Sequence, residues 1–152
     1  MGLRDRFTDA MKDAMKARQA QRLGTIRLML AAVQERSIAA RVDALSEDEI
    51  LSLLGKMIKQ REESAATYES GGRPELAAGE RAEITVIREF MPRQLSTEET
   101  RAAVAAAIAE TGAASLKDMG KVMAALKERH AGSMDFGKAG ATVKELLATP
   151  KA

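Results

Sequence analysis

Apolar residues recur at helical spacing along the whole chain. Leu3, Phe7, Met11 and Met15 follow one another every four residues, with Ala10 and Ala14 beside them, and predict an amphipathic helix. Leu23, Ile26, Leu30 and Val33 predict a second. The run "SEDE" (46–49) is a capping box, Ser46 as N-cap and Glu49 three residues on, in which each side chain takes a backbone N–H the helix leaves unpaired. It opens a third helix with Ile50, Leu54, Met57, Ile58, Ala65 and Tyr68 on one side. "GGRP" (71–74) stops that helix and starts a fourth, which carries Leu76, Ile84, Ile87 and Met91 and ends before Pro92.

Ser96 and Glu99 form a second capping box just after Pro92, so "MPRQLSTEE" (91–99) reads as a junction. Three shorter helices are predicted beyond it. The first bears Val104, Ala107 and Ile108 and ends at Gly112. The second starts at Ser115 with Asp118 in its first turn and bears Leu116, Met119, Met123 and Leu126. The last runs from about Asp135 with Phe136, Ala139, Val143 and Leu147 and stops by Pro150. No period-two strand pattern appears. The expected fold is all-α: a helical N-terminal domain over residues 1–93 and a three-helix tail domain over 94–152.

Composition narrows the chemistry. With no cysteine in 152 residues, disulfides, thiolate catalysis and cysteine metal sites are excluded. No apolar run approaches the roughly 20 residues of a membrane span. The start, "MGLRDRFTDAMKDAMK", lacks a secretory apolar segment and carries Asp5, Asp9 and Asp13, against a transit peptide. The expectation is a soluble cytoplasmic protein with no membrane partner. Residues 1–36 hold eight Lys/Arg against four acids, residues 37–94 eight against eleven, and residues 95–152 eight against seven. Such a distribution permits an anionic partner without requiring one.

Two segments of the tail nearly repeat: "KDMGKVM" (117–123) and "MDFGKAG" (134–140). A glycine inside a helix costs about 1 kcal/mol relative to alanine, so placing one beside a lysine twice needs a reason. Lys117, Gly120, Lys121 and Ala124 share one side of their helix, and Gly137, Gly140, Ala141 and Lys144 share one side of theirs, with Lys138 in the first turn. Packing is one reading: small residues let helices approach closely while the lysines are solvated. Binding is the other: the missing side chains admit an external sugar-phosphate backbone, the lysines neutralise it, and free N–H groups at the helix start near Lys138 add to the attraction.

These segments resemble a known family. "SLKDMGKVMAAL" (115–126) is similar to the recurring motif of the GatB/YqeY tail domain. "RLGTIRLMLAAV" (22–33), "LLGKMIKQREESAATYESGGRPELAAGERAEITVIREFMPRQLS" (53–96) and "ETGAASLKDMGKVM" (110–123) resemble the stand-alone YqeY-like members in order and spacing, over essentially the whole chain. The resemblance implies kinship with the GatB subunit of the glutamine-dependent amidotransferase, whose tail contacts the elbow of tRNA away from the chemistry. It also implies kinship with a domain appended to some glutaminyl-tRNA synthetases. Carried over by position, it puts Lys117, Gly120 and Lys121 on an RNA surface; Gly137, Lys138 and Lys144 join them on the helical reading.

Phe7, Phe90 and Phe136 fall on apolar stripes, which leaves few aromatics for stacking splayed bases. RNA binding is then expected through shape and phosphate, with strong salt dependence. No catalytic residue emerges. His130 is the one histidine and sits in a loop, the serines read as N-caps, and no GK[ST] phosphate loop is present. Neither metal nor cofactor is expected, and a carbon–nitrogen ligase label with glutamine as amide donor would come by kinship. The alternative to a tRNA-binding module is an accessory subunit that binds an amidotransferase or synthetase through methionine-rich surfaces, since nine methionines are available. Lys12, Lys16, Arg18, Arg22 and Arg27 give the first two helices a basic side. The acidic series Glu75, Glu80, Glu83 and Glu89 on the fourth either faces solvent or opposes them.

Overall fold

A computed structural model of the protein describes residues 2–148. Among them lie seven α-helices and no strand: α1 (Leu3–Lys16), α2 (Ala20–Ala40), α3 (Glu47–Ser70), α4 (Pro74–Arg88), α5 (Thr97–Thr111), α6 (Met119–His130) and α7 (Phe136–Ala148). A 3-10 turn, Leu116–Asp118, leads into α6. The chain forms two compact units that divide between Met91 and Pro92.

In the first unit α1 packs along α2, α3 along α4, and α2 against α4. Phe7, Ile26, Met29, Leu54 and Ile87 are wholly buried between them. The start of α1 lacks a side-chain cap of its own, because Gly2 stands at the N-cap. Glu47, the first residue of α3, supplies one: its Oε1 accepts the Leu3 N–H at 3.0 Å. Ion pairs run along the α3–α4 hairpin, Glu69 with Arg81 at 2.6 Å and Glu62 with Arg88 at 3.0 Å. Arg61 is the half-buried member, donating Nε–H to Glu83 at 2.8 Å and a guanidinium N–H to the Met57 carbonyl at 3.1 Å. Glu89 pairs with Arg22 of α2. Two members of the acidic series on α4 thus face neighbouring helices, Glu89 opposing the basic side of α2 and Glu83 meeting α3.

Four helices end in a Schellman arrangement, in which the chain turns through a left-handed residue. Gly72 and Gly112 occupy that position after α3 and α5, with φ +74° and +68°. After α1 and α2 it is held by Arg18 and Arg41, with φ 54° and 57°. The paired bonds are made at both: Gln19 N–H to Ala14 O and Arg18 N–H to Met15 O, then Val42 N–H to Ser37 O and Arg41 N–H to Ile38 O.

The second unit begins with a latched segment. Leu95 N–H donates to Ser133 O at 2.8 Å, and Gln94 Nε2 donates to Gly132 O at 2.6 Å. The Arg93 guanidinium forks onto both oxygens of Glu99 at 2.9 and 2.8 Å, while Glu99 also closes its capping box with Ser96. Helices α5, α6 and α7 pack pairwise over Val104, Val122, Leu126, Ala139 and Val143.

Three positions on the predicted apolar stripes do not enter a core: Met15, Leu76 and Leu116 are 50%, 42% and 48% exposed. Each lies within a turn or two of a helix end, where periodicity continues but the packing partners have run out. The helix expected from Ser115 opens with the 3-10 turn before α6 begins. The predicted stop of the last helix at Pro150 lies outside the described residues.

Candidate nucleic-acid interface

The near-repeated string Asp-x-Gly-Lys folds two different ways. Asp135 caps α7 from in front: its Oδ1 accepts the N–H of Gly137 at 2.9 Å and of Lys138 at 3.2 Å. Asp118 instead reaches back, its Oδ2 accepting the N–H of Ala114 at 2.9 Å and of Ser115 at 3.4 Å. Those two backbone bonds, with the charge of Lys121 nearby, hold the Asp118 carboxyl below its ordinary pKa. The free N–H groups expected near Lys138 are therefore not free; Asp135 has taken both, as an N-cap carboxylate does to the orphan donors of a first turn.

The glycines also part company. A Cβ on Gly120 would meet nothing within 4 Å. One on Gly140 would touch the terminal methyls of Met119 and Met123 at 3.7 and 4.0 Å, ordinary contact distances. One on Gly137 would approach Asp135 Oδ1 at 3.2 Å. Close helix packing thus describes only Gly140, and even there an alanine has room. At Gly120 no neighbour within the unit explains the missing side chain.

With Gly140 turned towards α6, Lys138 lies about 160° around α7 from it and points away from that contact, while Lys144 follows Gly140 on the same side. On α6, Met119 and Met123 face α7, and Lys121, midway between them, also points away. Lys117, in the 3-10 turn, and Gly120 and Lys121, in the first turn of α6, lie close along the chain and are all exposed. The predicted residues therefore form one contiguous group, Lys117–Gly120–Lys121. Gly140 and Lys144 lie on the α6 side of α7, and Lys138 faces outward from the α7 start; the six do not converge on one spot.

The cations divide by type. Between described residues, arginine supplies every ion pair. In the second unit Arg93 holds Glu99, Arg101 holds Glu145 at 3.2 Å, and Arg129 holds Glu110. Lys117, Lys121, Lys138 and Lys144 pair with no carboxylate among the described residues, and all four are exposed. Arginine's planar fork suits a fixed carboxylate, while lysine is a hydrated point charge that stays mobile in solvent.

Residue patterns had placed Leu116 in the core and missed this division. Burial falls off towards the start of α6: Leu126 and Val122 are buried, Met123 and Met119 half-buried, Leu116 exposed. The methionines proposed as adaptable surface go mostly inward. Met29, Met57 and Met134 are buried, Met11, Met91, Met119 and Met123 half-buried, and Met15 is exposed.

Comparison with known sequences places this helical two-unit chain: the model of the YqeY-like protein family matches residues 4–147. The chain belongs to that family. Curated relatives include the yeast protein "Altered inheritance of mitochondria protein 41, mitochondrial". The Saccharomyces cerevisiae S288c form is 30% identical over 81 residues, covering 53% of this chain and 44% of its own length. The Meyerozyma guilliermondii form is 34% identical over 83 residues, covering 53% and 42%. The chain spans less than half the length of these relatives. Among the described residues no helix is long and apolar enough to cross a membrane.

Proposed function

We propose that the protein is a tRNA-binding module that holds RNA through the Lys117–Gly120–Lys121 surface of its second unit, in the manner its resemblance to the GatB tail implies. One observation carries the reading: the unit's arginines are held in internal ion pairs, while Lys117 and Lys121, which pair with no carboxylate among the described residues, flank a glycine that opens onto solvent. A phosphate backbone can come close to a helix where no Cβ intervenes, and ammonium groups at its edge then neutralise the charge. Cytoplasmic residence among tRNA and its processing enzymes belongs to the same proposal.

The test is anisotropy of labelled bulk tRNA across a salt series, with Lys117→Ala and Lys121→Ala in parallel. Binding that weakens with salt, with a log–log slope about 1 shallower for each lysine removed, supports the reading. Absence of binding at low salt by protein with native circular dichroism overturns it.

A further inference from the structure

The outer side of α2 is apolar where a solvent-facing helix is ordinarily polar. Ile26, Met29 and Val33 point into the core of the first unit and are buried. On the opposite side, Gly24, Leu28, Ala31, Glu35 and Ile38 follow one another at spacings of three and four residues, all exposed. Ile38 is 69% exposed and Leu28 47%. Gly24 lies inside the helix, where glycine costs about 0.5–1 kcal/mol against alanine, yet a Cβ there would meet nothing within 4 Å. The fold of one chain accounts for neither the exposed isoleucine nor the missing side chain.

These residues are complementary to themselves about Ala31. Gly24 and Ile38 stand seven residues either side of it, and Arg27 and Glu35 four residues either side. When two copies of α2 lie antiparallel with a two-fold axis at Ala31, each member of such a pair stands level with the other member on the second copy. At about 100° per residue, Gly24 and Ile38 fall about 20° from the line between the helices, and Arg27 and Glu35 about 40° from it. The isoleucine of each copy then fills the space over the glycine of the other. The two alanines let the helices approach, and the Arg27 guanidinium of each copy reaches the Glu35 carboxylate of the other. Neither Arg27 nor Glu35 pairs with a charged side chain among the described residues.

We infer that the protein self-associates through α2 as a two-fold, antiparallel dimer centred on Ala31. The inference stands apart from the RNA reading, which concerns the second unit. An anionic membrane is the competing occupant of this face. Glu35 in the middle of the stripe disfavours it, since interfacial helices bury an unbroken apolar face edged by cations. A contact of one helix with its own copy lies at the small end of stable interfaces, so a dissociation constant on the order of 1–100 μM is expected.

Sedimentation velocity of the full chain at low salt, from about 1 to 500 μM, tests it. The wild type is expected to pass from monomer to dimer over that range. Ile38→Ala is expected to weaken the dimer by about ten- to a hundredfold, because both copies of its contact are lost together. Arg27→Glu and Glu35→Arg, each alone, set like charges opposite one another and are expected to weaken it by about three- to tenfold. Mixing those two variants puts opposite charges level again at both ends and is expected to restore wild-type association. All three side chains are exposed, so each variant is expected to keep the wild-type urea midpoint. A wild type that stays monomeric throughout overturns the inference, as does a dimer that Ile38→Ala leaves intact. Single charge variants that weaken association without rescue on mixing overturn it as well, since the antiparallel register about Ala31 requires that exchange.

Discussion

The Phe7 ring meets the Phe90 ring edge-on, with centroids 5.0 Å apart and planes at 88°. The contact ties the first helix to the turn just after α4, residues that are 83 apart in the chain. The Arg6 and Arg22 guanidiniums lie 5.6 and 6.0 Å from the Phe90 centroid, where the ring's negative face attracts cations. Phe90→Ala is expected to destabilise the first unit by about 3–5 kcal/mol, and a double-mutant cycle with Phe7→Ala to give a coupling of about 0.5–1.5 kcal/mol. Urea unfolding followed by amide signals of the first unit measures both.

Gly120→Ala separates stability from function. With nothing near its Cβ, alanine in this first turn of α6 relieves glycine's chain-entropy cost and is expected to raise stability of the second unit by about 0.5 kcal/mol. On the proposed RNA surface the same methyl group stands where the backbone approaches, so tRNA affinity is expected to fall. Rising stability with unchanged affinity would mean that Gly120 touches no RNA.

Glu99 makes the second unit acid-sensitive. The forked Arg93 guanidinium, then the Ser96 N–H, hold its pKa down to about 2, from an ordinary 4.5. Its folded pKa lies below the unfolded one, so the stabilisation is fully present above about pH 4.5 and is lost as the pH falls from there through about 2. The urea midpoint of the wild type is expected to decline over that window, and that of Glu99→Gln to start lower and decline less.

Arg18 and Arg41 hold a left-handed conformation that glycine adopts without strain. Arg18→Gly and Arg41→Gly are each expected to stabilise the first unit by about 0.5–1 kcal/mol, because the side-chain clash removed outweighs the chain entropy added. Thermal unfolding of the single and double variants checks this; the sites close different helices, so the gains are expected to add.

Glu47→Ala removes the cap that α3 lends to α1 and leaves the Leu3 N–H without that acceptor. A loss of about 1 kcal/mol is expected. The fraying this causes reads out as faster hydrogen exchange in the first turn of α1.

The all-α class, the two Ser–Glu capping boxes, the glycine stops at Gly72 and Gly112 and most of the buried residues follow from the sequence alone. They depend on local rules: a helical period, a side chain reaching three residues away, a backbone that must turn left. The candidate surface was legible only in outline. The string Asp-x-Gly-Lys is written twice, yet Asp118 bonds backwards to Ala114 and Ser115, while Asp135 bonds forwards to Gly137 and Lys138. Which way each carboxylate turns depends on where its helix begins. Tertiary structure also decided that Gly120 opens onto solvent while Gly140 faces methionines, and that Leu116 protrudes where its period promised burial. A period tells which side of a helix is apolar; only the lengths and placement of the neighbouring helices determine how far along that side the cover extends.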